Sequence, residues 1–188
     1  CVYAKRKTRK TKIINEKNVT LINMFLMPSM VNQGVINDRY FPGLLNNINK
    51  EKHQKVFFSP FCMLGRNLNK IVNNLHYTGV NYVYFFDFLN IFDYLKALFS
   101  SLKVLKYRCK NIYFDDLNVT ELINAQIYKD FTEHRLFDSF LYYYFVKKLN
   151  KFNVNLRLTV DWFENQQINR AFNIAKSKYF KNTKSIGY

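Results

Sequence analysis

Cysteine, glycine and proline are scarce in this chain, and the cysteine pattern gives no support to a metal or redox site. The three cysteines, Cys1, Cys62 and Cys109, are odd in number and far apart, so no pair has metal-binding or redox spacing. A reduced, cytoplasmic compartment is therefore expected. The five glycines and three prolines accompany 48% hydrophobic and 22% charged residues, which is typical of a globular protein rather than a disordered one.

We expect no segment of this sequence to direct the chain into a membrane. The basic start is followed by Ile13 and Ile14 and then by polar residues, not by the apolar core of a signal peptide. The most apolar stretch, Tyr82 to Leu105, is interrupted by charged residues (Asp87, Asp93, Lys96 and Lys103). An ordinary membrane span of about 20 uncharged residues is thereby excluded.

Acidic residues are few, with 13 against 29 basic ones, and the net charge is +16. Six basic residues lie in the first twelve positions (Lys5, Arg6, Lys7, Arg9, Lys10 and Lys12). We expect residues 1–18 to be a basic lead or linker before a domain at 19–188. A basic surface attracts phosphates, nucleic acids and anionic membranes. The abundance of Asn, Lys and Ile is typical of AT-rich coding, which raises the lysine content by itself, so nucleic-acid binding is the less favoured explanation.

The first half of the chain alternates between predicted strands and predicted helices. Short continuous apolar runs predict buried strands, and a 3.6-residue period predicts helices. The strands are Val19–Met27, Lys55–Ser59, which Pro60 ends, and Tyr82–Phe86, and the helices between them are Phe41–Lys50 and Leu68–Tyr77. This order predicts an α/β fold, a Rossmann-like open parallel sheet with helices on both faces.

The second half continues with more helices and two further strands. The predicted helices are Asp87–Lys106, Leu117–Phe131, Phe137–Leu149 and Gln167–Phe180, and the predicted strands are Asn153–Val160 and Thr183–Tyr188. The chain begins at Cys1 rather than Met and stops where the last strand starts. We therefore expect a fragment of a longer two-domain protein.

Two of these helices are apolar enough to have an alternative use. In Asp87–Lys106 the apolar residues form one broad face, which favours packing on the sheet. The alternative is a helix lying on a membrane surface, with Lys96, Lys103 and Lys106 meeting anionic head groups. The aromatic residues of Phe137–Leu149 offer a stacking platform for nucleic-acid bases, but their helical spacing favours a place in the core.

The first candidate site is the turn Asp161–Gln166, which follows a predicted strand and precedes a helix. In an open parallel sheet, ligands bind on the loops beyond the carboxyl ends of the strands. This turn supplies two carboxylates, amides and, one turn into the helix, Arg170. A carboxylate there suits a general base or a grip on a sugar hydroxyl, and Trp162 with Phe163 suits an apolar wall against a sugar ring. The structural alternative is that Asn165 caps the helix and Glu164 favours its positive end.

The second candidate is the loop Met27–Arg39, which contains Asn32, Gly34 and Arg39. A glycine-containing loop before a helix is able to hold a phosphate. However, the chain has neither a G-x-G-x-x-G nor a Walker pattern. A plain connection is therefore favoured over a substrate contact.

The third candidate is the segment Asp130–Arg135, in which His134 stands beside Glu133. Neither this segment nor the pair Asp115-Asp116 has a further ligand at fixed spacing, and no H-E-x-x-H pattern is present. Surface or capping use is favoured for Asp130–Arg135. The pair Asp115-Asp116 resembles an acidic cluster at a helix N-terminus as much as a metal site, and we assign no metal.

The last thirty residues resemble a known family. The run Val160 to Gln166 (VDWFENQ), with Asn169 to Asn173 (NRAFN), Lys178 to Phe180 and the ending Ser185 to Tyr188 (SIGY), resembles bacterial surface carbohydrate biosynthesis proteins. Those proteins are similar to glycosyltransferases of the GT-B type, which have two Rossmann-like domains.

The resemblance implies a transferase that adds a sugar or a polyol phosphate to a surface polysaccharide, without a cofactor or a required divalent metal. This chain would be mainly the acceptor-side domain, and a missing second domain would bind the nucleotide-sugar donor. The implied base or hydroxyl-orienting group is Glu164, with Asp161 second. The implied substrate contacts are Arg170 and Gln166. The two candidate segments add Trp162 and Asn165 from the turn and Asn32 and Arg39 from the loop as further expected contacts.

The implied partner is a sugar or lipid-linked glycan acceptor, met in the cytoplasm or at the inner face of the membrane. Two alternatives from other classes stay open at this point. One is a basic nucleic-acid-binding module, and the other is a non-catalytic, membrane-associated structural domain.

Overall fold

A computed structural model describes residues 2–26, 30–32, 35–36, 42–47, 55–62, 75, 79–162 and 166–187. Its strands are β1 (Val19–Leu26), β2 (Val31–Asn32), β3 (Val35–Ile36), β4 (Val56–Cys62), β5 (Asn81–Tyr82), β6 (Tyr113–Phe114), β7 (Leu117–Asn118), β8 (Leu156–Asp161) and β9 (Lys184–Gly187). Its helices are α1 (Val2–Asn15), α2 (Leu44–Asn47), α3 (Phe85–Phe88), α4 (Ile91–Val104), α5 (Thr120–Thr132), α6 (Arg135–Lys151) and α7 (Gln167–Tyr179).

The centre of the fold is a five-stranded parallel sheet with the order β5-β4-β1-β8-β9. The first strand, β1, lies in the middle of the sheet, and β4 and β5 follow it outward on one side. The chain then returns to place β8 and β9 on the other side of β1. The predicted α/β class with an open, Rossmann-like parallel sheet is confirmed. The direction of winding reverses between β1 and β8, which makes the carboxyl ends of these two strands the topological switch point.

Apolar side chains cover both faces of the sheet. One face carries the larger core, which includes Phe57 of β4, Phe145 of α6 and Phe172 of α7. The other face carries a smaller core around Met24, Phe58 and other side chains. β1 contributes buried residues to both cores, which is why its sequence is a continuous apolar run rather than an alternating one.

Several predicted strand ends are wrong. The strand predicted over Asn153–Val160 is β8, which begins at Leu156 and ends at Asp161. β4 does not end before Pro60 but continues through it to Cys62. Its neighbour β5 pairs only with Phe57 and Phe58, so proline, which lacks an N–H, stands where one edge of β4 has no paired strand among the described residues. The third strand is only Asn81–Tyr82, and the rest of the run predicted there turns into α3. The turn forms because the main-chain N–H of Tyr84 donates to the carboxylate of Asp87 at 2.9 Å.

The basic start of the chain is a helix fastened to the domain rather than a linker. The guanidinium of Arg9 in α1 donates to both carboxylate oxygens of Asp87, at 2.8 and 2.6 Å. Arg6 donates to the main-chain oxygen of Leu89 at 2.6 Å, and Ile13 is fully buried. A bidentate, buried ion pair of this kind fixes geometry as well as charge.

The predicted helix Asp87–Lys106 is divided into α3 and α4. Asn90 stands between them in an extended conformation and caps α4, because its side chain accepts from the N–H of Asp93 at 3.2 Å. The carboxylate of Asp93 in turn accepts from the N–H of Asn90 at 2.9 Å. Together these two bonds form a capping box.

The prediction that the apolar face of this helix packs on the sheet is also wrong. The buried residues of α4 are Asp93, Ala97 and Ser101, whereas its large apolar residues are exposed (Ile91, Phe92, Leu95, Leu98, Phe99 and Leu102). The carboxylate of Asp93 lies 2.9 Å from the ammonium group of Lys148 in α6. The polar and small side of α4 therefore faces the protein.

Of the remaining predicted helices, Phe137–Leu149 and Gln167–Phe180 agree with the structure. The predicted helix Leu117–Phe131 begins too early, because Leu117 and Asn118 form β7 and α5 begins at Thr120. α6 buries Leu141, Tyr142, Phe145 and other residues in the core, as its spacing predicts. α2 lies inside the predicted helix Phe41–Lys50, and of the predicted helix Leu68–Tyr77 only Leu75, which is helical and buried, is described. Among the described residues, no helix is long and apolar enough to cross a membrane.

Candidate functional site at the switch point

The switch point joins two segments that are far apart in the sequence. β1 and β8 run parallel and pair side by side, with Ile22 opposite Val160. Their carboxyl ends therefore meet at one edge of the sheet, and the predicted site segments Met27–Arg39 and Asp161–Gln166 leave the sheet from neighbouring strands. In sheets of this topology, ligands bind in the crevice at this edge.

A buried carboxylate surrounded by amides stands at the end of β8. Oδ1 of Asp161 accepts from the side-chain amide of Asn169 at 2.9 Å and from that of Asn23 at 3.4 Å. Oδ2 accepts from the side-chain amide of Asn173 at 2.9 Å. The carboxylate thus ties together β1, β8 and α7, and its described partners are amides rather than cations.

Burial raises the pKa of Asp161 to about 6, and the hydrogen bonds from the three asparagines and from the main chain at Trp162 oppose that rise. Burial penalises the charged form, while amide donors favour it. A carboxyl group with such a pKa is able to hold or release a proton near neutral pH. Because Asp161 is only 3% exposed, its contacts favour a positioning role over direct contact with a substrate.

The sequence patterns gave no site role to the three asparagines of this cluster. Asn23 is a single buried amide in the apolar strand β1, and Asn169 and Asn173 are four residues apart on α7, so they lie on one face of the helix. The signal was present at Asn23, because a polar residue in a strand buried on both faces needs a buried partner. The sequence does not say which residue that partner is.

Asn169 also connects the two sides of the turn that follows β8. Its side-chain amide donates to the carboxylate of Asp161 and, at 3.0 Å, to the main-chain oxygen of Trp162. Asn169 itself lies in the first turn of α7, just after the N-cap residue Gln166. One amide therefore holds the residues before the turn against the helix after it.

Of the other predicted substrate contacts, Trp162 is buried, whereas Gln166 and Arg170 are exposed. The indole of Trp162 is 1% exposed and packs edge-on against Phe25, with ring centroids 6.3 Å apart, so it belongs to the core rather than to an open wall for a sugar. Gln166 is exposed and is the N-cap of α7, a place that the sequence assigned to Asn165. Arg170 is exposed on the first turns of the same helix.

Several predicted site residues lie outside the described part of the chain. These are Glu164, Asn165 and Arg39, together with Phe163 and most of the loop that contains Gly34. Asn32 is in β2, but its side chain is not among those described. The roles given to these residues stay predictions.

The segment Asp130–Arg135 forms a joint between two helices. The buried carboxylate of Asp130 accepts from Gln126 of α5 at 2.8 Å and from the side-chain amide of Gln167 in α7. Arg135 forms an ion pair with Glu133, and His134 has a left-handed backbone with φ of 61° between α5 and α6. These contacts agree with the structural use that the sequence favoured.

The acidic pair Asp115-Asp116 lies in the exposed turn between β6 and β7 rather than at a helix N-terminus. In the described segments, no group of three or more His, Cys, Asp and Glu side chains is placed to hold a metal ion.

Comparisons of the chain with protein-family models, with curated proteins and with solved structures found no match. The function is therefore argued from the fold and from the polar cluster at its switch point.

Proposed function

We propose that this chain is the acceptor-side domain of a glycosyltransferase-like protein of bacterial surface polysaccharide biosynthesis. The observation that carries the proposal is the polar switch point. A doubly wound parallel sheet binds ligands there, and here a carboxylate and three amides converge on that edge from β1, β8 and α7.

Glu164 is the proposed base or hydroxyl-orienting group. In the sequence it stands between Trp162, which follows β8, and Gln166, the N-cap of α7, and Asn169 of α7 donates to the main-chain oxygen of Trp162. Asp161 is the proposed positioning residue, because its bonds to Asn169 and Asn173 fix the strand end against the helix. Groups that orient a reacting residue in this way contribute to catalysis by holding a productive geometry.

The exposed side chains next to the turn are the proposed substrate contacts. Gln166 and Arg170 lie at the start of α7 and are open to solvent, where an amide and a guanidinium suit the hydroxyl and phosphate groups of a lipid-linked glycan. The proposed setting is the cytoplasm, at the inner face of the membrane. The nucleotide-sugar donor would be bound by a second domain.

The basic start of the chain favours this reading over nucleic-acid binding. Arg9 forms an internal ion pair with Asp87, and Arg6 donates to the main-chain oxygens of Asp87 and Leu89. Part of the charge that suggested a nucleic-acid surface is therefore directed into the protein rather than toward a phosphate backbone.

The test is the replacement of Glu164 by Gln in the full-length protein in its own cell. We expect surface polysaccharide to be lost at an unchanged protein level, because the amide cannot accept a proton. Glu121→Gln, at an exposed position on α5, is the matched control and should leave polysaccharide normal. Normal polysaccharide in the Glu164→Gln strain would refute the site assignment.

A further inference from the structure

α4 presents its apolar side to solvent. Six large apolar side chains of this helix are between 41% and 66% exposed (Ile91, Phe92, Leu95, Leu98, Phe99 and Leu102). Isolated exposed apolar residues are ordinary on protein surfaces, whereas a contiguous set marks a binding surface. We call this set the apolar face of α4.

The six residues form one continuous stripe. At about 100° per residue they occupy an arc of about 120°, and the buried residues Asp93, Ala97 and Ser101 lie on the opposite side of the helix. The stripe therefore points directly away from the body of the protein.

Specific contacts hold the helix in this orientation. The carboxylate of Asp93 lies 2.9 Å from the ammonium group of Lys148, and the hydroxyl group of Ser101 donates to the main-chain oxygen of Ala97 at 2.8 Å. Turning the apolar face inward would expose Ala97 and separate the partly buried charges of Asp93 and Lys148. Separating such a pair is unfavourable, so this contact stabilises the observed orientation.

The exposed charged residues of α4 that flank the stripe are basic. Lys96 and Lys103 are exposed and lie together along one edge of the stripe, and Lys106 is exposed just beyond the end of the helix. The single acidic residue of α4 is Asp93, which is buried and paired. Phenylalanine and leucine on one face, flanked by lysine, is the composition of helices that lie in the interface of a bilayer.

We propose that α4 docks this protein on an anionic phospholipid surface, with its apolar face in the head-group region and Lys96 and Lys103 on the lipid phosphates. The helix has 14 residues, which suits lying on a bilayer rather than crossing it, since a span needs about 20. A second copy of the chain is a poorer occupant because each copy carries a net charge of +16 and like charges repel. This inference rests on α4 and goes beyond the proposed transferase function, on which it does not depend.

The experiment is sedimentation of the 188-residue protein with two kinds of vesicle, of phosphatidylcholine alone and of phosphatidylcholine with phosphatidylglycerol. We expect binding to the anionic vesicles that weakens with salt, and much weaker binding to the neutral ones. Phe92→Gln/Phe99→Gln should weaken binding to anionic vesicles about tenfold or more, because two aromatic side chains no longer enter the interface. Ile174→Gln is the matched control, since Ile174 is 63% exposed on α7, and it should bind as the wild type does.

A lysine variant tests the same surface independently. Lys96→Gln/Lys103→Gln should weaken binding to anionic vesicles about tenfold and leave binding to neutral vesicles unchanged. Lys147→Gln/Lys151→Gln, at exposed positions on α6, is its control. Circular dichroism should show the wild-type fold in each variant, because the substituted residues are exposed.

Three results would overturn the proposal. One is wild-type protein that binds neither kind of vesicle, and the second is a phenylalanine variant that binds anionic vesicles as tightly as Ile174→Gln does. The third is a wild-type protein that elutes as a dimer in size-exclusion chromatography and binds no lipid, while the phenylalanine variant elutes as a monomer. That result would make the apolar face of α4 a contact between two copies of the chain. The vesicle experiment contains no sugar and measures lipid binding alone, whereas the transferase test measures polysaccharide in cells. Failure of one test is therefore distinguishable from failure of the other.

Discussion

α4 and α6 are neighbouring helices that both space their apolar residues at helical intervals, but only α6 buries its apolar side. α6 turns Leu141, Phe145 and Leu149 into the core, where each is 1% exposed or less. α4 turns its apolar residues outward and its polar residues, among them Asp93, toward α6. The spacing of apolar residues predicts that a helix has two different sides.

Which side faces the protein depends on the neighbour. The ammonium group of Lys148 in α6 forms an ion pair with the carboxylate of Asp93 in α4. The other two buried residues of α4, Ala97 and Ser101, have small side chains that allow close approach of a neighbouring helix. Ser100 and Tyr144 add a hydrogen bond between the same two helices, with their hydroxyl oxygens 3.3 Å apart. The side of α4 that faces the protein therefore carries one charged and two small residues, Asp93, Ala97 and Ser101, rather than the apolar stripe.

The largest contrast is expected between two phenylalanines, one on each helix. Phe145→Ala should lower the free energy of unfolding by about 3 to 5 kcal/mol, because it opens a cavity in the core at a fully buried position. Phe99→Ala, at a position that is 60% exposed, should change it by less than about 0.5 kcal/mol. Urea unfolding measures both, and equal losses would show that α4 packs inward.

The ion pair between the helices should have the next largest effect. Lys148→Met keeps the aliphatic stem but leaves Asp93, whose side chain is 7% exposed, without its cation, and should cost about 2 kcal/mol. Amide hydrogen exchange should accelerate in α4 more than in α6. Lys147→Met, next to it and exposed, is the control, and a similar loss in that variant would count against the ion pair as the anchor of α4.

A smaller effect should appear as a pH dependence in α6. Burial raises the pKa of Asp138 to about 6 from 3.8, with a small opposing effect of His134. Since the folded-state pKa is above the unfolded value, the stabilisation by this group is complete below about pH 3.8 and is lost as the pH rises through about 6.

Asp138→Asn should therefore unfold like the wild type near pH 4 and be more stable by about 1 kcal/mol at pH 7, a value reduced for partial exposure. Burial also raises the pKa of Asp161 to about 6, so Asp161 adds a pH dependence of the same sign to the free energy of unfolding, and this contribution remains in the variant. Urea unfolding at a series of pH values measures the difference, and parallel curves for the two proteins would contradict the assignment to Asp138.

The smallest expected effect is that of the hydrogen bond between the helices. Tyr144→Phe removes the hydroxyl group that faces Ser100 and should cost about 0.5 kcal/mol, because both groups are partly open to water. The same urea measurement applies, and a loss as large as that of Lys148→Met would mean that the ion pair is not the dominant contact.

Local sequence patterns predicted the sheet and most of the helices, but not the contacts between distant segments. β1 and α6 are recognisable because apolar spacing reports burial directly. The cluster around Asp161 joins Asn23 to a residue 138 positions later, and such a contact follows only from the strand order. The same limit hid the ion pair between Arg9 and Asp87, which are 78 positions apart, and for this reason the first helix resembled a linker.

The position of β1 has a consequence for synthesis on the ribosome. β1 precedes the other described strands of the sheet in the chain and becomes its central strand. One of its edges therefore stays without a partner strand until β8 is made, more than a hundred residues later. At about 5 to 20 residues per second this wait is on the order of ten seconds. During that time an apolar strand edge is open to other nascent chains, which is a known cause of aggregation. Truncated chains that end before β8 should therefore accumulate as insoluble protein.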